Sequence, residues 1–342
     1  MLDNNTVTNR SLEATLFVNG DDVGQAYRDH WSDFPTWEER GHATEYLLHA
    51  GNIGPRLSID ETSLTRGELY TLLTNNAARG GKGSIVATVK GTKSEDIIRC
   101  LRQIPADERA KVEVVTMDFS ESMRIAVEAA FPNARIAVDH FHIIRLAQEA
   151  VQQERIACRK EAMERQAAEQ RRTRGMMEFA LGVTGRKHIR VSLPPPGRLE
   201  NGDTRVELLA RSRYLLFSTP DKWTESQRQR AGILFAQYPH IKDVYNLVGR
   251  LRAIFRLGKN PTDAARRLSQ WYDEVMESRF EHLKVVAETI LSRFDHILEY
   301  FVDHATNAYA ESINSKIKAF RCSLHGVSDP AFFFYRVMRI LG

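Results

Sequence analysis

Between residues 56 and 142 the alternation of apolar and polar positions changes period every few residues. Arg56 to Ser63 reads as a first strand. Glu68 to Asn75 (ELYTLLTN) follows a turn at Gly67 as the second, and Ser84 to Val89 (SIVATV) follows the Gly80-Gly81-Lys82-Gly83 turn as the third. Turns this short predict an antiparallel meander. Glu95 to Ile104 predicts a helix, with Ser94 as its N-cap and Pro105 just past its end. Val112 to Asp118 predicts strand four, Glu121 to Phe131 a second helix capped by Ser120, and Arg135 to Asp139 strand five. The sum is an α/β fold with a mixed five-stranded sheet, its later strands parallel because helices cross between them. With strand four parallel to strand one, Asp60 and Asp118 emerge at one carboxyl edge, where open α/β sheets place their sites.

The flanking segments have a helical period. Residues 1–55 predict one or two helices anchored by Trp31, Phe34 and Trp37 and broken by Gly51, Gly54 and Pro55; they read as an N-terminal helical extension. Residues 143–305 are read as an all-helical segment. Its first helix, from near His142, carries Ile143, Ile144, Leu146, Ala147, Ala150 and Val151 on an apolar side, then continues into a charged stretch from Arg155 to Arg174. Arg155, Arg159 and Lys160 open that stretch, and interleaved acids make a solvated face as good a reading as DNA contact. Pro194-Pro195-Pro196-Gly197 and Asn201-Gly202 mark a loop, Thr224 to Gln227 fits a capping box, and the helix it starts stops before Pro239. A helix then runs to Gly258, another begins after Pro261, and a long one spans roughly His282 to Val302. Residues 306–342 give one more helix, a turn at Gly326 and the apolar AFFFYRVMRIL. The all-helical segment 143–305 thus interrupts an α/β core made of residues 56–142 and 306–342.

Composition narrows the class. A chain of 342 residues with 42% hydrophobic residues can build a sizeable core. Its net charge of +4 permits a polyanionic partner without demanding one. Cys100, Cys158 and Cys322 stand apart, so neither a zinc ribbon nor a disulfide framework is supported. Unpaired cysteines, a polar N-terminus and the lack of an apolar run near the ~18 residues of a membrane span predict a soluble, cytoplasmic, nucleoid-associated protein with no membrane partner.

Chemistry gathers on acids. In TNAYAESINSKIKAF, Asn307, Glu311, Asn314 and Lys318 share one helical face, while Ala310, Ile313, Ile317 and Phe320 form the opposite apolar stripe. The helix can dock on the sheet and still turn a polar row toward its edge. In-line attack on a phosphodiester develops charge on the entering and leaving oxygens, which two Mg²⁺ (or Mn²⁺) ions ~3.5–4 Å apart can clamp. Such ions favour carboxylate oxygens. Asp60 is the candidate bridge, with Asp118 and Glu311 each completing one metal; Glu61 is the substitute at the first position, expected on the opposite face with Leu57 and Ile59. Asp139 and His142 form a D-x-x-H pattern, read as a hydrogen-bonded pair shaping the site edge, with metal ligation by Asp139 as the alternative. Lys316, Lys318 and Arg321 suit phosphate contact, and equally the C-terminal end of a helix.

The run TMDFSESMRIAVEAAFPNARIAVDHFHII, the opening SIDETSL and the segment NAYAESINSKIKAFRCSLHGV together resemble the DDE transposases of bacterial insertion sequences, specifically the ISL-three group. The resemblance runs from about Pro55 to the C-terminus. It implies a ribonuclease-H-like core split by an all-helical insertion, with Asp60, Asp118 and Glu311 as the DDE triad and Asp139-x-x-His142 as a matching accessory motif. It implies Mg²⁺-dependent cleavage at transposon ends and strand transfer into target DNA by a DNA 3′-hydroxyl. Fuller members carry an N-terminal zinc-binding and helix-turn-helix region, so end recognition is expected from a separate chain or a longer copy, with a homodimer acting on paired ends. Two other readings share these residues: a structure-selective nuclease on the same fold, and a decayed or captured transposase that acts as a DNA-binding protein.

Overall fold

Why the acids end up where they do follows from how the strands are ordered. A computed structural model describes residues 20–65, 67–183, 193, 195–324 and 327–342. The chain divides into two units: one runs to Asp139 and resumes at Ala305, the other is His140–His304. Pro194 and the expected turn at Gly326 lie outside the described residues.

The described residues of the first unit begin with helix α1 (Gly20–Ala26), and strand β1 (Tyr46–Leu48) follows. Next come β2 (Arg56–Thr65), β3 (Glu68–Asn75) and β4 (Ile85–Lys90), then α2 (Ser94–Leu101) and the single turn α3 (Ala106–Arg109). Strand β5 (Val114–Met117), helix α4 (Glu121–Ala130) and strand β6 (Arg135–Val138) follow. The strands form one mixed sheet in the order β1-β4-β3-β2-β5-β6. The pairs β1–β4, β4–β3 and β3–β2 are antiparallel, and β2–β5 and β5–β6 are parallel. The meander and the crossovers were thus readable from turn length and period.

Among the described residues the sheet has six strands rather than the expected five. The additional one, β1, pairs Tyr46 with Val89 at the edge of β4 inside a segment expected to be helical. Its three residues are too few for a period to register, and pairing with β4 supplies what propensity does not. Ser94 is likewise the first residue of α2 rather than its cap; Lys93 takes the cap position with no side-chain bond.

Two apolar layers flank the sheet. Leu57 and Ile59 of β2, with Val115 and Met117 of β5, pack against α2 and α4 through Ile97, Leu101, Met123 and Val127. On the other face Tyr70, Leu72 and Ile85 pack against the last two helices, α14 (Ala308–Ser323) and α15 (Pro330–Leu341), through Ile313, Ile317 and Phe334. Period-2 alternation therefore turns Ser58 and Asp60 toward the α14 side of β2.

The second unit is helical among its described residues. It consists of α5 (His140–Val183), α6 (Arg205–Arg211), α7 (Arg213–Phe217), α8 (Glu225–Gln237), α9 (Pro239–Leu257), α10 (Pro261–Glu277), α11 (Glu281–Ser292), α12 (Phe294–Leu298) and α13 (Tyr300–Asp303). The capping box is formed: Gln227 N–H donates to Thr224 Oγ1 at 3.3 Å, and Thr224 N–H donates to Gln227 Oε1 at 2.9 Å. Trp271 is core, its indole N–H donating to the Leu247 carbonyl at 2.8 Å. The long helix expected over His282 to Val302 is three pieces, broken at Arg293 and Glu299. No glycine or proline marks those breaks in the sequence.

Candidate active site

Register fixes the acids. The parallel ladders pair Ser58 with Thr116 and Met117 with Val138. Asp118 and Asp139 are therefore the next residues along β5 and β6, and Asp60 lies two past Ser58 on β2. Three neighbouring strands thus present an aspartate at one end of the sheet.

Backbone N–H groups orient two of these carboxylates. Glu61 N–H donates to Asp60 Oδ1, and Ser120 N–H donates to Asp118 Oδ1, each at 2.8 Å. Asp139 is 2% exposed, and its own N–H donates to the Met117 carbonyl at 2.8 Å, extending the ladder by one bond.

Helix α14 brings the remaining polar residues. Its apolar stripe seats it on the sheet, and Asn314 Nδ2 then donates to Asp60 Oδ2 at 2.8 Å. Glu311, one turn earlier, is exposed, and one of its carboxylate oxygens lies within 4.8 Å of one of Asp139. The polar row does not simply face water: Asn307 is 0% and Asn314 6% exposed. Both polar atoms of the Asn307 amide, and Asn314 Oδ1, are buried without a hydrogen-bond partner. Such atoms are costly unless something polar comes to meet them.

Electrostatics shows the acids crowding. The Glu61 carboxyl is pushed above its usual range, first by burial and then by the negative charges of Asp118 and Asp60. The unbroken ladder to β3, with Glu61 opposite Thr71, keeps Glu61 on the Leu57 and Ile59 face as alternation predicts, and the charges of Asp118 and Asp60 still act on it. The site thus has Asp60, Glu61 and Asp118 in electrostatic contact, and Asp139 beside Glu311. Proximity of Asp139 to Glu311 was obscured in the sequence by the reading of D-x-x-H as a local pair. Its place straight after strand five, level with Asp118, was the signal that could have found it. His142 belongs to the first turn of α5 in the second unit.

In the absence of metal, Glu61→Gln is expected to raise the thermal midpoint at pH 7 and to leave it unchanged near pH 4. A carboxyl whose folded pKa is raised costs stability once pH climbs through that pKa, and nothing below its unfolded value, where both states are protonated. Melting curves at the two pH values check this; an equal gain at both would contradict it.

The expected basic contacts divide. Arg155 is 7% exposed and donates to Gln152 Oε1 at 2.7 Å and to the Leu209 carbonyl at 2.9 Å, so its charge is used inside the helical unit. Burial lowers its pKa, and no DNA contact is assigned to it. Lys316 donates to the Gly80 carbonyl at 2.5 Å and Arg321 to the Ser63 carbonyl at 3.3 Å, tying α14 to the sheet. Arg159, Lys160 and Lys318 are exposed.

All these acids offer hard oxygen ligands, held partly by backbone and amide donors, and their mutual repulsion is what a cation relieves. The residues present therefore fit a divalent ion.

Known proteins place the chain independently. A family model described as a transposase, of the ISL3 DDE type, matches residues 57–337. The transposase for insertion sequence element IS1001 of Bordetella parapertussis is 21% identical over 283 residues, 82% of this chain and 59% of that protein. The transposase for insertion sequence element IS1557 of Mycobacterium tuberculosis (strain H37Rv) is 24% identical over 277 residues, 80% of this chain and 57% of that protein. The chain thus spans somewhat under three fifths of the length of the curated relatives it matches. With the family match covering both the sheet that carries the aspartates and the helix that carries Glu311, the chain belongs to the ISL3-type DDE transposases.

Proposed function

We propose that this chain is the catalytic part of a DNA transposase, cleaving DNA at transposon ends and joining them to target DNA. The observation that carries the reading is the convergence of acids from three adjacent strands and one distant helix, with Asn314 clamping that helix to Asp60. The strand order, with an antiparallel meander followed by parallel strands and a closing helix, supports a ribonuclease-H-like core. The helical unit enters between β6 and α14, as an insertion into such a core would.

Asp60, Asp118 and Glu311 are the proposed ligands of two Mg²⁺ or Mn²⁺ ions, and Asp139, beside Glu311, joins them as a fourth. Such ions supply charge stabilisation to the entering and leaving oxygens of the phosphodiester. The chain's own part is orientation. Backbone N–H groups hold Asp60 and Asp118 by one oxygen each, which keeps the carboxylates in a fixed attitude at the sheet edge. Asn314 keeps Asp60 aligned with the helix that carries Glu311. Exposed Lys318, Arg159 and Lys160 remain as the proposed phosphate contacts, and Lys316 and Arg321 position the helix. In strand transfer, a DNA 3′-oxygen bonds to the target phosphorus as the target's own 3′-oxygen leaves with a proton, so bonds are exchanged without an outside energy source.

The test is incubation of the protein with Mg²⁺, a labelled transposon-end duplex and a supercoiled target plasmid. Joined molecules are expected with no preference for the transposon-end duplex over an unrelated one, because end recognition is expected from a separate chain or a longer copy. Nicks without joining would favour the nuclease reading, and intact DNA throughout would contradict both.

A further inference from the structure

A cavity of about 950 Å³ lies wholly within the helical unit, between the start of α5, the Thr219–Lys222 turn and α9. None of Asp60, Asp118, Asp139 and Glu311 lines it, and the proposed chemistry does not use it. Its size lies at the upper end of small-ligand sites, roughly 300–1,000 Å³.

Two kinds of group line it. Rings form one part: His140 lies 4.5 Å from Tyr300 and 5.6 Å from Phe255 between centroids, and Phe141 is 55% exposed. Cations form the other. Lys222, Arg250, Arg252 and Arg256 face a single acid, Asp221, in the lining. Arg252 is committed to the Phe217 carbonyl at 2.9 Å and Arg250 to Glu274 at 2.9 Å, while the exposed Lys222 and Arg256 share the one carboxylate of Asp221, which leaves net positive charge at the wall.

Gly249 supplies a separate observation. It sits inside α9, where glycine costs about 1 kcal/mol relative to alanine. A Cβ there would meet no atom within 4 Å, so no close packing requires the glycine. It lines the cavity, and what its missing side chain preserves is open space.

A mostly apolar chamber with planar rings and a cationic wall matches one ligand chemistry: a heteroaromatic base carrying a phosphate. A paired base inside a duplex cannot enter such a chamber, whereas a base turned out of the stack can. We propose that the cavity receives a single unpaired nucleotide of a DNA strand, its base among the rings and its phosphate at Lys222 and Arg256. This rests on the reading of the chain as DNA-acting.

The test uses the full chain in EDTA, where cleavage is absent, and duplexes with one bulged 2-aminopurine. The wild type should bind bulged DNA with a change in 2-aminopurine emission. Gly249→Leu, which fills the cavity where there is room for it, should abolish that change and weaken bulged-DNA binding by about tenfold or more, within the range of one stacked base. Its binding to fully paired DNA should be unaltered. Gly249→Ala, which leaves most of the space, should behave as wild type, and Lys222→Ala, on the exposed rim, should weaken the bulged complex without altering the melting curve. Unchanged binding and emission in Gly249→Leu would overturn the proposal while leaving the DNA reading intact. Failure of the wild type to bind either duplex would remove the DNA reading and the proposal with it. Free 2-aminopurine deoxynucleoside monophosphate binding as tightly as bulged DNA would show a site for a diffusible nucleotide and overturn the DNA source.

Discussion

Asp118→Asn is expected to abolish Mg²⁺-dependent DNA cleavage while leaving the melting temperature close to wild type. Asparagine keeps the shape and the acceptor oxygen that takes the Ser120 N–H, so the turn after β5 survives. What is lost is one negative charge from a group proposed to hold a cation. Losing several kcal/mol of transition-state stabilisation corresponds to a fall of about 10³-fold or more. A gel assay of end cleavage alongside a thermal melt measures both quantities. Wild-type cleavage in the variant would remove Asp118 from the chemistry and favour a chain whose role is DNA binding alone.

Asn314→Ala should show a different signature. The substitution leaves Asp60 Oδ2 without the amide that holds it and opens a small gap at a residue that is 6% exposed. Loss of a hydrogen bond to a charged partner costs roughly 1.5–3 kcal/mol of stability. The catalytic consequence is misplacement of Asp60, and a displacement of about 1 Å can cost 10²-fold in rate. Turnover is expected to fall by about that order, with DNA affinity retained and the half-saturating Mg²⁺ concentration raised. The metal dependence separates positioning from bulk destabilisation. A lower melting temperature with unchanged Mg²⁺ dependence would make Asn314 a packing residue only.

Much of this architecture is legible in the primary structure, because strands β2 to β6 obey local rules. Short glycine turns announce the meander, and helical periods between the later strands announce the crossovers. The ends of β5 and β6 deliver Asp118 and Asp139 with no long-range information at all. What local pattern cannot give is where one element stops beside another. Alternation places Glu61 on the face of Leu57 and Ile59, as the register has it, but only the pairing of β2 with β5 brings the charge of Asp118 to bear on it. Arg155 belonged to a basic stretch by composition, and only the packing of α6 against α5 shows that its guanidinium is enclosed. Strand β1 is invisible for the same reason: its existence depends on β4 being there to pair with it. The helical row on α14 was readable as a face, but which of its members are buried was not. Asn307 and Asn314 are, and Glu311 is not.

The central claim is that acids far apart in the chain share bound divalent ions. Crystals of the full chain soaked in Mn²⁺ and measured at the manganese absorption edge test it most directly. The account predicts anomalous peaks in contact with the carboxylates of Asp60 and Asp118 and with that of Glu311, with Asp139 alongside. Manganese bound elsewhere, or bound with Glu311 turned away from every peak, would contradict it.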